Sequence, residues 1–265
     1  MIIDFHTHAF PDAIADRAMA SLTENVTDIC PPVCGGKVSD IIGNMDRCGV
    51  DISVLQPVVT KPSQIIKTNE WAKSAQSGRI ISFAGLHPAS GNYKEEINMV
   101  SGMGFKGVKL HPEYQEFYVD DPEALRFLDC ILDKGLMVLL HAGVDIGIPS
   151  LHSDPKRLAN MLDNLRGGTI IAAHMGSHAM WDGVEKHLAG KDIYFDTSMG
   201  FEYYSEEQFL RIVKAHGADK ILFGSDAPWS DAAHEIAKIK SLPVEGSEKN
   251  AILYGNACRL LELAL

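Results

Sequence analysis

Eight short apolar runs, separated by segments of helical periodicity, constrain this chain more than any other feature. The runs cover residues 2–6, 52–56, 80–86, 107–111, 137–141, 169–174, 193–197 and 221–225. Each is five to seven residues long, apolar on both faces, and closes in polar or small residues. Strands buried on both sides of a parallel sheet read this way. Apolar residues recur at helical spacing in 63–76, 93–103, 122–134, 155–165, 178–188, 206–215 and 231–239. Asp121-Pro122, Asp154-Pro155 and Ser205 supply helix starts, while Gly135, Gly190 and Gly217 stand where helices should stop. This alternation, at roughly thirty residues per unit, predicts an α/β fold: a (β/α)8 TIM barrel forming a single domain over residues 1–265. A doubly wound open sheet shares the alternation but usually opens with a Gly-rich phosphate turn. Here that position reads Thr7-His8-Ala9-Phe10-Pro11. The long interval 9–50 breaks the rhythm and is a candidate lid over the catalytic end. Residues 248–263 predict a last amphipathic helix packed against the outer ring.

Charge and composition narrow the function. Twenty-four Lys and Arg stand against thirty-five Asp and Glu, a formal net charge of -11. A nucleic-acid partner calls for a basic surface, so none is expected. No apolar run approaches the roughly 20 residues that span a bilayer, so no membrane partner is expected either. The opening Met-Ile-Ile-Asp-Phe-His has neither a basic n-region nor an apolar h-region, and the expected location is cytoplasmic. Five scattered cysteines are expected to be free thiols. A homodimer is the base-rate expectation for assembly.

The histidines carry the chemistry. His6 and His8 close the first run, and His87, His111, His141 and His174 close the third to sixth. Asp196 lies in the seventh, and Asp226 follows the eighth. In a barrel these ends converge on one face. His6 and His8, two apart, share a side of their strand, as do Lys109 and His111. One strand-end histidine is usually a hydrogen-bonded structural residue. The ordered set, with an Asp after the last strand, points to a divalent metal, with zinc first and manganese or iron also suited. His152, His178, His187, His216 and His234 are expected mainly at the surface, His178 being the best candidate for an exception. Gln115 is a candidate substrate contact, and Tyr203, Tyr204 and Trp229 are candidate pocket walls.

At these residues the chain resembles the amidohydrolase superfamily, and within it the amidohydrolase 2 group. That group contains small metal hydrolases and non-oxidative decarboxylases of the aminocarboxymuconate-semialdehyde and resorcylate type. The matching stretches are Ile3-Asp4-Phe5-His6-Thr7-His8, Gly107-Val108-Lys109-Leu110-His111-Pro112, Leu140-His141-Ala142-Gly143, Ala173-His174-Met175-Gly176, Phe195-Asp196-Thr197-Ser198 and Phe223-Gly224-Ser225-Asp226. The resemblance implies that His6, His8, His141 and Asp226 hold the main metal. His174 then binds a second metal or polarises the substrate, and Asp226 acts as general base. Three readings of Lys109 stay open: a carboxylated bridge between two ions, an ammonium that binds a substrate carboxylate, or an ion pair supporting a functional His111.

The main functional expectation is hydrolysis of a small amide, lactone or ester by metal-activated water, with Asp226, His174 and Lys109 catalytic. A bound divalent ion brings the pKa of water from about 15.7 toward 7. The alternative is decarboxylation of a small aromatic or unsaturated acid on the same ligands. That reaction needs a cation for the carboxylate, with Arg47, Lys61 and Lys109 as candidates. A TatD-like nuclease fits poorly, because Gly-Val-Lys-Leu-His stands where that family carries an acidic motif. A non-catalytic barrel would leave costly buried His and Asp groups without an ion.

Overall fold

A computed structural model of the chain describes residues 1–24 and 28–264. Residues 25–27, inside the expected lid, and Leu265 lie outside the described residues. Eight parallel strands follow one another in order: β1 (Ile3–Thr7), β2 (Ile52–Leu55), β3 (Ile80–Ser82 and Ala84–Gly85), β4 (Gly107–Leu110), β5 (Met137–Leu140), β6 (Ile170–Ala172), β7 (Tyr194–Asp196) and β8 (Ile221–Leu222). Every neighbouring pair is parallel. Phe83 interrupts β3, yet its N–H still donates to Leu55 O of β2 at 2.9 Å. The sheet closes through Phe5 N–H to Phe223 O (2.8 Å), Asp226 N–H to His6 O (2.8 Å) and His8 N–H to Ala227 O (2.7 Å). The result is the expected TIM barrel.

One irregularity aims the site. The β1–β2 register slips between Asp4 and Thr7. Such a bulge lets neighbouring residues break the strict alternation of faces. Phe5 packs edge-on against Phe83, whose ring fills the space a Cβ on Gly107 would need. Gly107 and Lys109 share a face of β4, and His6 reaches Lys109. Phe5 and His6, adjacent in sequence, therefore both face the barrel interior.

The C-terminal segment differs from expectation. It runs as Gly246–Asn250, a π-helical turn Ala251–Gly255, and Asn256–Leu261. Asn256 Nδ2 donates to Ala218 O and Ile221 O at 2.8 and 2.7 Å, docking the segment at the start of β8. Ala257, Cys258 and Leu261 then join the buried cluster of Ile3, Phe5, Phe83 and Leu139. The helix thus covers the apolar interior of the barrel as well as its outside, because the bottom of the barrel is itself an apolar surface that must be buried. Ile252 and Leu253 belong to the outer core.

The 9–50 excursion folds beside the segment that follows β8. Val33 N–H donates to Pro228 O (2.7 Å), and Cys30 Sγ donates to Trp229 O (3.1 Å). Arg47, on the helix Val38–Cys48, pairs with Asp231 at 2.8 Å. All five cysteines are free. Among the described residues no helix is long and apolar enough to cross a membrane.

Candidate metal centre

Short strands end early, and tight turns then carry the polar residues inward. His174 (φ 59°) and Asp226 (φ 72°) sit in the left-handed region that non-glycine residues rarely occupy. Each is held there by its surroundings. His174 N–H donates to Asp196 Oδ1 (3.1 Å), and Trp181 Nε1–H donates to His174 O (3.0 Å). Asp4, which the sequence reading did not single out, steadies the other turn. Its Oδ1 accepts from Ser225 N–H (2.9 Å) and His6 N–H (3.2 Å), and its Oδ2 accepts from the Ser225 hydroxyl.

The partners fix the proton positions on the first two histidines. His6 Nδ1 lies 2.9 Å from Asp196 Oδ2, and His8 Nδ1 lies 2.8 Å from Gln56 O. Both partners only accept, so both Nδ1 atoms carry hydrogen and both Nε2 atoms carry lone pairs. Those lone pairs face each other at 3.1 Å. Asp226 Oδ1 stands 3.3 Å from His6 Nε2 and 3.0 Å from His8 Nε2, buried and without a hydrogen-bond donor. Three acceptors this close repel unless a cation lies among them. Ligand atoms on a tetrahedral ion with bonds of about 2.0–2.1 Å are roughly 3.3–3.4 Å apart, so the donor set fits a divalent ion after small adjustments.

Lys109 enters the same cluster. Its side chain is buried, with Nζ 3.1 Å from His6 Nε2. Burial pushes it down to about 8, against the raising effect of Asp226 and Asp196. Burial, followed by Lys109, pushes His6 down to about 4, so this imidazole is neutral near pH 7. Burial raises the Asp226 carboxyl; protons on His6 and His8 would hold it below its ordinary range, and a cation among the three lone pairs would do the same in their place. Asp196 follows the same logic, with burial overcome by His6, His174 and Ser198.

His141 and His174 occupy the next position around the mouth. His174 Nδ1 lies 3.2 Å from Ser198 O, and its Nε2 lies 3.0 Å from His141 Nδ1. His6, His8 and Asp226 thus form one potential metal group, while His141 falls into a second with His111 and Asp145. Burial first, then His111 and His174, drives His141 well below the ordinary imidazole range. The Ser198 hydroxyl touches His6 Nδ1 (3.1 Å) and His174 Nδ1 (2.9 Å) and bonds Asp196 Oδ1, linking the two groups.

Several other expectations change. Gln115 is committed to the scaffold: its Nε2 donates to Val59 O (2.8 Å) and Leu86 O (2.7 Å), and its Oε1 accepts from His111 N–H (3.0 Å). Both N–H donors are spent on backbone carbonyls and the oxygen is engaged by a backbone N–H, so the buried amide braces the scaffold. His216 is buried rather than at the surface, stacked on Phe195 at 4.0 Å and bonded to Ile193 O at 2.9 Å. His178 is also buried, ringed by His174, Trp181 and Tyr203. Tyr204 is a packing residue against Trp181, Phe201 and Phe209. His87 is buried, and its Nδ1 accepts from Ala89 N–H at 3.2 Å. Of the candidate cations, Arg47 is paired with Asp231 and Lys61 is exposed. Sequence reasoning missed Asp4, Ser198, Glu113 and Asp145. Asp4 and Ser198 adjoin motif residues and could have been flagged, whereas Glu113 and Asp145 carry no local signal.

Known structures share this architecture. A 5-carboxyvanillate decarboxylase from Sphingomonas paucimobilis superposes with a TM-score of 0.73 at 16% identity, covering 100% of this chain and 99% of that one. A dihydroxybenzoic acid decarboxylase from a Polaromonas species, solved with manganese and 2-nitroresorcinol, gives 0.71 at 16% identity, covering 99% and 97%. A protein from Pseudomonas putida described as a putative 2-pyrone-4,6-dicarboxylic acid hydrolase gives 0.70 at 18% identity, covering 100% and 98%. No curated protein matches the sequence. The amidohydrolase family model matches residues 3–263, essentially the whole chain, and the chain belongs to that family.

Proposed function

We propose that the chain is a metal-dependent carboxy-lyase acting on a small aromatic or unsaturated acid, with hydrolysis of a small lactone, amide or ester as the second reading. The observation that carries the first reading is the placement of Lys109. Among the described residues it is the buried candidate cation, 3.1 Å from His6 Nε2 and beside the group formed with His8 and Asp226. A carboxylate bound there meets an ammonium and a divalent ion together. The decarboxylases among the structural neighbours, one solved with manganese, support the same choice. The neighbour described as a putative pyrone hydrolase supports the second reading.

His6, His8 and Asp226 would hold the ion, with His141 and His174 next to them. When bound, the ion supplies Lewis-acid charge against substrate oxygens. Lys109 orients the carboxylate. Asp226 is ionised at rest, so it takes a proton from a substrate hydroxyl or water and returns it to carbon. The bond to the carboxyl carbon breaks, its electron pair stays on the ring or alkene carbon, CO2 leaves, and the proton from Asp226 completes the product. Asp196 and Ser198 keep the His6 and His174 rings in place.

The test is a panel of hydroxybenzoates and small unsaturated acids beside a panel of lactones and amides, scored for CO2 release and for ring opening. The expected result is CO2 release that disappears in Asp226→Asn with the fold retained. Ring opening without CO2, sensitive to the same substitution, would establish the hydrolase instead.

A further inference from the structure

The turn after β6 delivers a further imidazole to the mouth. His174, Met175 and Ala179 adopt φ of 59°, 53° and 57°, so three non-glycine residues of one short turn stand in the left-handed region. Such backbone is costly, and it persists where the surroundings over-determine the placement of a side chain. His178, just before Ala179, is a group that the reaction assigned above leaves unused. Its backbone is laced to the segment after β5: its N–H donates to Ala142 O (2.8 Å), and its carbonyl accepts from Val144 N–H (3.1 Å). The residue between those partners has to be small, because a Cβ on Gly143 would meet His178 N and O at 2.4 and 2.5 Å.

His178 is 4% exposed, and its ring packs against three others, His174 at 5.8 Å, Trp181 at 5.5 Å and Tyr203 at 4.9 Å between centroids. It lies close enough to Asp226 and Asp145 to feel both charges, and burial, the largest influence, keeps the ring neutral near pH 7. A neutral imidazole has one N–H and one lone pair. Nδ1 is enclosed and has no hydrogen-bond partner. Nε2 has no partner among the described residues either, and it is the nitrogen that is not enclosed. An enclosed N–H without an acceptor is rarer than an enclosed acceptor without a donor, so the hydrogen belongs on Nε2. His178 thus offers the mouth an N–H that no described residue uses.

We propose that His178 is a substrate-binding residue whose Nε2–H donates to an oxygen away from the reacting carboxylate, which favours acids carrying a second oxygen substituent. This deepens the carboxy-lyase reading and rests on it. Lys109 ends β4 against His6 of β1, whereas His178 lies between the segments that follow β5 and β7, so the two address different ends of one small ligand. A hydroxyl, carbonyl or second carboxylate supplies the acceptor. An unsubstituted acid leaves the donor unpaired on binding, and an unpaired donor discriminates strongly against the ligand that strands it.

The experiment titrates benzoate, the three hydroxybenzoate isomers and isophthalate calorimetrically into full-length protein loaded with Mn2+. The variants are His178→Phe, which keeps a ring without the donor, and His178→Gln, which restores an N–H. In the wild type the best oxygen-bearing acid is expected to bind about tenfold more tightly than benzoate, the worth of one hydrogen bond. His178→Phe should bring the two within about twofold, and His178→Gln should recover part of the gap. No gap in the wild type, or a full gap retained in His178→Phe, would overturn the proposal; a merely structural role weakens both ligands together and leaves the gap intact. Crystals of the wild type with the best ligand give a check independent of variant folding. A substituent oxygen within hydrogen-bonding distance of His178 Nε2 supports the assignment, and its placement elsewhere removes it. If the wild type binds none of these acids but opens a lactone, the carboxy-lyase reading fails, and the variants are scored on that lactone. A KM raised about tenfold in His178→Phe, with kcat within about twofold, then keeps His178 as a ligand contact, and an unchanged KM removes it. A wild type that takes neither acid nor lactone overturns both.

Discussion

Replacing Asp196 by Asn tests how the barrel prepares His6 for a metal. Asp196 Oδ2 accepts His6 Nδ1–H at 2.9 Å, while Oδ1 accepts from His174 N–H (3.1 Å), Ser198 N–H (3.0 Å) and the Ser198 hydroxyl. An asparagine has one acceptor oxygen for these two duties. If its carbonyl faces Ser198, it keeps three bonds and turns its NH2 toward His6 Nδ1–H, so two donors meet. If it flips, the NH2 meets two backbone N–H groups and the hydroxyl, a worse conflict. The first arrangement wins, and His6 relieves it by moving its proton to Nε2. That proton occupies the lone pair facing His8 and Asp226. Losing the group that orients a ligand histidine typically costs 10–100-fold in metal affinity, about 1.4–2.7 kcal/mol. The forced tautomer change places Asp196→Asn near the upper end. The assay is competition with a chelator of known affinity, with near-UV circular dichroism as a check on folding. An affinity within about twofold of wild type in a folded variant would refute the tautomer argument.

Other perturbations probe the frame. Glu235, wholly buried on the helix Ala232–Ser241, accepts from Phe201 N–H at 3.2 Å, and burial pushes its carboxyl up to about 8. The folded state therefore holds a proton that the unfolded chain releases near its ordinary value of 4.5, so stability declines as pH rises from about 4.5 to 8. Glu235→Gln keeps the acceptor and should remove up to about 5 kcal/mol of that decline, read by urea unfolding at a series of pH values; parallel curves for the two proteins would contradict this. Gly143→Ala should destabilise by about 2 kcal/mol or more, since φ is 87° and the added carbon would meet His178 backbone atoms at 2.4 and 2.5 Å. A urea midpoint matching the wild type would show that the 143–178 contact yields easily. Phe83→Ala should cost roughly 3–5 kcal/mol by opening a cavity beside Phe5 and Gly107; calorimetry showing less than 1 kcal/mol would mean that the barrel interior refills.

The sequence by itself determined the barrel and the order of its polar rim. Strands covered on both faces must be apolar throughout, so a histidine at the end of such a run stands out, and topology alone gathers the ends at one mouth. His6, His8, Asp226 and Lys109 were legible for that reason. Only the tertiary structure decided the rest. The bulge in β1 lets Phe5 and His6 both face inward, which strict alternation forbids. Gln115 looked like a substrate contact, but three backbone groups from separate segments hold it as a brace of the scaffold. The end helix looked like one more outer layer, yet part of it seals the barrel floor. Glu113, His111, His141 and Asp145 come together across two βα units. Which lone pairs of His141 and Glu113 lack a donor depends on hydrogen-bond direction, and that is set by partners far away along the chain.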